Sequence, residues 1–455
     1  MIEDSRKAHR IGFISLGCPK NLVDSEVMLG TLTRQGYTIT PNKEEADVLV
    51  VNTCGFIDTA KQESIDTILE MAELKNSGNC KKLVVAGCLA ERYRADIRKQ
   101  IPEIDFVFGP DELGSILEAV RLDGEAGPDL FIDALYTSKE VPTIPRVLTT
   151  PSYMAYLKIS EGCDHICTFC AIPGFRGRFR SRSPKDLVAE ARRLADQGVR
   201  EIVLVSQDTM AYGKDLDMPD GVTTLLRQLA EVDGLKWVRF LYCYPNTVTE
   251  SLVRLVSEEE RLCKYFDIPY QHASKRVLDR MKRGGSREIY ERQIENIRRW
   301  NPGAGLRTSF ITGFPGETEE DFNEILTFMG NAEFDNVGVF LYSDEEGTGA
   351  FDLDGKVQRR TAVRRRNQLM KTQAGISKAK LREMVGRTVE VLLEGASSES
   401  DLLLKGRMET QAPDIDGHVL INDTGERSVR DGEFHHVEIT ESMEYDLIGR
   451  IVGEF

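Results

Sequence analysis

Three apolar runs near the start of the chain each end in a cysteine: IGFISLGC, DVLVVNTC and KLVVAGC. Those cysteines, Cys18, Cys54 and Cys88, stand 36 and 34 residues apart, which is the length of one strand-plus-helix unit. Amphipathic stretches such as SEVMLGTLTRQG and TAKQESIDTILEMAELKNSG fill the intervals, and DFVFG adds a further buried run. Strands alternating with helices imply a parallel sheet with right-handed crossovers. Neighbouring strands lie ~5 Å apart in such a sheet, so cysteines at equivalent strand ends converge on one spot. A single cysteine there would be ordinary core packing. Three at equivalent positions point to a site, and three thiols suggest a cubane iron–sulfur cluster with one iron left open. Cys80, Cys243 and Cys263 follow no such pattern and read as structural.

The Pro- and Thr-rich stretch 141–153 reads as a linker. A second alternating series then runs to about residue 348, with candidate strands YLKIS, EIVLVSQ, WVRFLYCY, YFDIPYQ, LRTSFITG and NVGVFLYS. Six βα units fit a partial or complete TIM-like barrel, whose chemistry sits at the C-terminal ends of its strands. Segment 356–382 carries ten Lys or Arg and no Asp or Glu, and its pattern predicts a long basic helix. From residue 386 the runs TVEVLLEG, LLLKGR, HVLIND and HHVEIT alternate with Gly, Asp and Asn turns, which predicts a small antiparallel β-barrel. The expected α/β architecture therefore has three domains, at 1–140, 150–375 and 386–455.

Composition bounds the function. No run of eighteen apolar residues occurs, and the charged start MIEDSRKAHR lacks the apolar core of a secretory signal. A cytoplasmic location is expected, and nine cysteines in that setting mean metal or redox chemistry more often than disulfides. A net charge of −15 excludes a global attraction to nucleic acid.

The most specific motif is SEGCDHICTFCAIPG, which places Cys163, Cys167 and Cys170 in one loop after the first barrel strand. Three thiolates so close can hold three corners of a cubane cluster; zinc would want a fourth ligand, for which His165 is the candidate. The C-x3-C-x2-C spacing resembles that of the radical S-adenosylmethionine enzymes over about residues 156–348. The resemblance implies that S-adenosylmethionine chelates the open iron and that its reduction yields methionine and a 5′-deoxyadenosyl radical. Strand-end residues in VSQDT, YQHAS, ITGFPGET and YSDEEGT are the expected cofactor contacts: Ser206, Gln207, Gln271, Gly313, Gly316 and Tyr342. RGRFRSRSP has four arginines in seven positions, some expected to face cofactor carboxylates or an acidic substrate, and Ser183 with Pro184 should start the next helix. No side chain is singled out as a catalytic acid or base.

A radical enzyme with a second, incompletely ligated cluster is similar to the methylthiotransferases over nearly the whole chain. That resemblance implies an N-terminal domain holding an auxiliary cluster on Cys18, Cys54 and Cys88, a radical barrel, and a C-terminal TRAM domain. It implies two [4Fe-4S] clusters, S-adenosylmethionine as both methyl donor and radical source, and an external electron donor. Relatives act on adenosine derivatives of tRNA or on a protein. GCPKN (17–21) resembles the protein-modifying branch, whose implied substrate is an aspartate β-carbon of the twelfth small-subunit ribosomal protein, free or within the subunit. Segment 386–455 has six Lys or Arg against sixteen Asp or Glu, a charge suited to a basic protein rather than RNA. No membrane partner is expected, nor tRNA as the main substrate. The basic segment 356–382 cuts the other way, but it lacks interleaved aromatics and is expected to pack on acidic elements of its own chain. A tRNA methylthiotransferase and a non-catalytic iron–sulfur or zinc ribosome-binding factor are the alternatives.

Overall fold

The computed structural model describes residues 9–122, 144–398, 400, 402–425 and 427–453. The first residues of the linker, 141–143, and the expected domain boundary at 140 lie outside them.

The N-terminal unit is a five-stranded, wholly parallel sheet made of β1 (Arg10–Ser15), β2 (Thr38–Thr40), β3 (Val48–Thr53), β4 (Lys82–Gly87) and β5 (Ile104–Phe108), in the order β2-β1-β3-β4-β5. Strand β3 shows why it sits at the centre. All six of its residues are buried, and they alternate between two cores. Val48 and Val50 pack with Ile11, Val84 and Ala86 on one face, while Leu49 and Val51 pack with Leu83 and Val85 on the other. A strand apolar on both faces needs helices on both sides, which is what parallel crossovers supply. The short edge strand β2 (TIT) was not anticipated; three residues carry too little alternation to stand out.

The central unit contains β6 (Met154–Lys158), a two-stranded antiparallel bracket of β7 (Ser160–Glu161) and β8 (Arg180–Ser181), then β9 (Glu201–Val205), β10 (Trp237–Phe240), β11 (Tyr265–Asp267), β12 (Gly305–Thr312) and β13 (Asn336–Leu341). Strands β6, β9 and β10 pair in parallel, as do β11, β12 and β13. A parallel bridge between Val238 and Leu262 joins the two halves. The result is a six-stranded partial barrel with its strands in chain order, as the six βα units predict. No pairing of β13 back to β6 occurs among the described residues.

The C-terminal unit is a closed five-stranded barrel of β14 (Thr388–Ala396), β15 (Leu404–Arg407), β16 (Val419–Asp423), β17 (Phe434–Ser442) and β18 (Leu447–Ile451), in the order β14-β15-β16-β18-β17. Four of its pairings are antiparallel, and β16 with β18 is parallel. Strand β18 (LIGRI) is the addition to the four runs read from sequence, and it closes the barrel.

This small barrel plugs the end of the central barrel where the strands begin. Arg407, fully buried, places Nη2 2.6 Å from Glu201 and Nε 2.6 Å from Glu394, and Arg239 Nε reaches the same Glu201 at 2.8 Å. The QAPDIDG segment (411–417) also faces the central barrel: Tyr156 donates to Asp414 at 2.9 Å and Tyr265 to Asp416 at 2.6 Å. The basic segment forms the helix Arg359–Arg382, and its cations do find acidic neighbours in the same chain: Arg365 with Glu317 at 2.7 Å, Arg364 with Glu319 at 2.7 Å and Lys380 with Asp335 at 2.7 Å. Among the described residues no helix is long and apolar enough to cross a membrane.

Candidate active site at the junction of two units

The N-terminal sheet presents its strand ends to the open end of the central barrel. Cys18 is the N-cap residue of the helix Pro19–Arg34, whose first residue is a proline that needs no donor there. Gly17 precedes it at φ +91°, and a Cβ on that glycine would lie 2.8 Å from Cys54 Cβ and 3.1 Å from its Sγ. Only glycine permits so close an approach in that conformation. Thr53 and Gly87 are register partners on β3 and β4, so Cys54 and Cys88 leave adjacent strands at the same level. The three strand ends therefore meet, as the spacing predicts. Asn21 ties them together, its Nδ2 donating to Leu16 O at 2.6 Å and Thr53 O at 3.3 Å.

The second triad lies in the loop between β7 and the short helix Ile172–Arg176. Cys163 N donates to Gly177 O at 3.1 Å, and Cys170 N closes a turn on Cys167 O at 3.1 Å. Arg283 Nη1 lies 3.6 Å from Cys167 Sγ, and its Nη2 donates to Pro269 O at 2.5 Å. His165 is stacked on Tyr244 at 3.7 Å and hydrogen-bonded to Asp208 at 2.7 Å. Its Nε2 and its ring face are thus engaged by Asp208 and Tyr244.

A buried charge network joins the triads. Arg176, at the end of the second loop, donates from Nε to Cys88 Sγ at 3.2 Å. Its Nη1 reaches Asp24 at 2.8 Å and Glu161 at 2.9 Å, and its Nη2 reaches Asn21 Oδ1 at 3.2 Å. Lys158, at the end of β6, pairs with the same Asp24 and with Glu161 at 2.8 Å. All four charged side chains are buried. Lys20 completes the junction: its ammonium lies 3.4 Å above the ring of Tyr242, which follows β10 in a left-handed conformation at φ 63°. Further out, Glu345 is held by Lys61 at 2.8 Å and by Arg92 at 2.7 Å, clamping the N-terminal unit to the loop after β13.

The other sequence-derived contacts are placed as follows. Ser206 is buried against Thr209 at 3.3 Å. Gln207 donates to Glu161 at 2.6 Å, and its Oε1 is buried without a hydrogen-bond partner. Gln271 bridges in register to Phe310 at φ 71°. Gly313 and Gly316 both take a left-handed backbone, at φ 82° and 84°, and a Cβ on Gly313 would come within 2.5 Å of Ala362 Cβ. Tyr342 donates to Asp344 at 3.0 Å and sits edge-on to Phe314. Of the arginine run, Arg176, Arg180 and Arg182 face carboxylates of this chain, Asp111 for Arg180 and Glu190 for Arg182, while Arg178 is exposed. Ser183 occupies the N-cap position but its side chain makes no cap bond. Cys80, Cys243 and Cys263 are buried within hydrophobic cores. Sequence reasoning missed Asp24, Lys158, Glu161 and Tyr242, and it gave Lys20 and Asn21 no role. Charged residues within otherwise apolar strands, such as Lys158 in YLKIS, were the available signal.

The donor set fits iron–sulfur clusters. Burial pushes the Cys88 and Cys170 thiols up to about 12 and Cys163 to about 11, although Arg176 pulls Cys88 back. Cys18 is lowered: burial raises it, but Lys20 and Arg176, with backbone hydrogen bonds, outweigh that. Binding a cation at these thiols must therefore release protons. Among the described residues no three His, Cys, Asp or Glu close on one point as ligands of a single ion would. Thiols that hold separate irons of a cluster need not do so.

Residues 10–109 match the uncharacterized protein family UPF0004, residues 157–329 the radical SAM superfamily, and residues 385–452 the TRAM domain. The central unit also shares its fold with the radical S-adenosylmethionine methyltransferase TsrM from Kitasatospora setae (TM-score 0.53, 14% identity, 73% of this chain and 72% of that one). The fold and the cysteine loop thus define a radical S-adenosylmethionine enzyme, a class that works with S-adenosylmethionine and an iron–sulfur cluster. Two relatives, each called ribosomal protein uS12 methylthiotransferase RimO, come from Solibacter usitatus (52% identical over 98% of this chain and 95% of the relative) and Koribacter versatilis (49%, over 98% and 97%). A third of the same name, from Geobacter sulfurreducens, is 44% identical over 99% of this chain and 100% of its own. The chain belongs to the RimO family of radical SAM methylthiotransferases.

Proposed function

We propose that the protein methylthiolates the β-carbon of an aspartate in ribosomal protein uS12, with Cys163, Cys167 and Cys170 holding a [4Fe-4S] cluster that binds S-adenosylmethionine and Cys18, Cys54 and Cys88 holding a second. One observation carries the reading: Arg176, from the loop of one triad, is hydrogen-bonded to a cysteine of the other across a buried junction. Two separate metal sites would need no such tie.

The clusters and S-adenosylmethionine would supply the radical, the sulfur and the methyl group, chemistry no side chain here provides. The target C–H bond is hardly acidic, so a general base near neutral pH could not open it, and no residue is assigned that role. What the chain contributes is placement. Asn21 fixes the strand ends, Arg176 orients Cys88, and Arg283 and the His165–Tyr244 stack hold the second loop against the barrel. Hydrogen bonds of this kind to ligand sulfurs also tune a cluster's potential. The acidic C-terminal unit suits a basic ribosomal protein, and an external electron donor completes the requirements.

Anaerobic reconstitution tests the reading. About eight irons per chain are expected for two [4Fe-4S] clusters. Mass spectrometry after incubation with uS12, and separately with tRNA, should find the methylthio group on the protein. About four irons, or zinc, would remove the second cluster; mass gained only by tRNA would remove the substrate.

A further inference from the structure

Three cations meet at the junction of the N-terminal sheet and the barrel, and they are not equivalent. Lys158 and Arg176 each share Asp24 and Glu161. Lys20 is 9% exposed, yet no Asp or Glu among the described residues pairs with it. Its partners are Tyr242, over whose ring it lies, and the nearby Cys18 thiol. A buried ammonium normally has a carboxylate, because desolvation of an unpaired charge is expensive. A cation–π contact of ~0.5–2 kcal/mol offsets only part of that.

The position is also specific. Lys20 is two residues from Cys18, and Tyr242 is two residues from Tyr244, which stacks on His165 inside the second cysteine loop. The segment from Tyr242 to Tyr244 therefore forms a wall common to both triads. Tyr242 holds its place in a left-handed conformation that bulky residues rarely adopt, with its N–H bonded to Asp267 at 3.0 Å. Such outliers concentrate at ligand clamps.

We infer that Lys20 binds the side-chain carboxylate of the substrate aspartate, so that the neighbouring β-carbon is presented between the two triads. The inference rests on the aspartate reading of the substrate given above. The substrate would bring the carboxylate that no described Asp or Glu gives Lys20, beside the Cys18 thiol and the Tyr242 ring that already face its ammonium. Lys20 acts as a substrate-positioning residue.

The test compares two peptides spanning the modified aspartate of uS12, one with Asp and one with Asn at that position, bound to the reconstituted enzyme. A charge-assisted hydrogen bond corresponds to a preference for Asp of about 10- to 100-fold in Kd. Lys20→Met should bring that preference close to one, and Lys20→Arg should keep most of it. Equal binding of both peptides by the unsubstituted enzyme overturns the inference without any variant, as does a preference that survives in Lys20→Met. Loss of iron in Lys20→Met would assign Lys20 to the cluster instead. If the unsubstituted enzyme leaves the Asp peptide and whole uS12 unmodified, the aspartate reading itself falls; if it modifies uS12 but shows no Asp preference, only the role of Lys20 falls.

Discussion

The two ends of the central barrel both bury charge, but they do so differently. At the end where the strands begin, Glu201 is clamped by Arg239 and Arg407, and Arg407 also takes Glu394. Each guanidinium there has a carboxylate. At the end where the strands finish, Asp24, Glu161, Lys158 and Arg176 pair just as thoroughly, but cysteine thiols and the carboxylate-free Lys20 join them. The closed end only holds two units together. The open end holds two units together and leaves Lys20 with a thiol and a ring but no carboxylate.

Cysteine substitutions give the largest expected separation between the ends. Cys167→Ala should abolish both deoxyadenosine formation and methylthiolation, by at least about a thousandfold. Cys88→Ala should abolish methylthiolation while deoxyadenosine still forms on reduction; each variant should lose about four irons. Arg407→Met, at the other end, should leave the iron count at the unsubstituted value. Iron lost from Arg407→Met would break the comparison.

Next come the buried arginines themselves. Arg176→Met leaves Asp24 and Glu161 with Lys158 alone, and Arg407→Met leaves Glu201 with Arg239 alone, so each should cost up to about 3–5 kcal/mol in urea unfolding. Of these two variants, Arg176→Met alone should also change the midpoint potential of a cluster, since Arg176 touches a cysteine of a triad and Arg407 does not. Equal potentials would reduce Arg176 to a structural pin.

An acid titration sharpens the same contrast. Burial alone would raise the Glu161 carboxyl, but Arg176 and Lys158 hold it at about 2; Glu190, between Arg182 and Arg146, is likewise held at about 2. Carboxylates whose folded pKa is depressed stabilise the fold above their unfolded value. Their contribution should be complete at neutral pH and fall away as pH drops from about 4.5 toward 2. Trp237 packs on Phe434 at the closed end, so its fluorescence reports that end while protease nicking reports the other. In Glu161→Gln the acid-dependent loss should be smaller.

The smallest effect is expected at the rim. Arg180 and Asp111 also link the N-terminal unit to the barrel, at 2.6 Å, but both are well exposed. Asp111→Asn should change stability by less than about 1 kcal/mol. A larger change would mean that the junction does not depend chiefly on its buried charges.

Local pattern explains what the sequence made legible. IGFISL, DVLVV and KLVVAG declare buried strands by their own composition, and three cysteines at equivalent ends converge because the sheet is parallel. The cysteine loop is legible for a simpler reason, since its three cysteines are all within eight residues. What stayed hidden depends on distant pairing. Arg176 stands 152 residues from Asp24, and Lys158 stands 134 from it. No periodicity announces such partners. Some of the arginine run was expected to face cofactor carboxylates or an acidic substrate; Arg176, Arg180 and Arg182 are paired with carboxylates of the chain itself. Strands β2 and β18 escaped because one is very short and the other borrows its place from the barrel it closes.

Glu345 has a consequence for the order in which the molecule is made. Its two cationic partners, Lys61 and Arg92, lie 284 and 253 residues earlier in the chain. The N-terminal sheet is built from nearby units and can form as soon as it leaves the ribosome, since domains fold in sequence during synthesis. The Glu345 clamp cannot close until the last barrel strand has followed the sheet out. Only until the residues through Arg176 have followed do Cys18, Cys54 and Cys88 stand on a finished sheet without that arginine beside them.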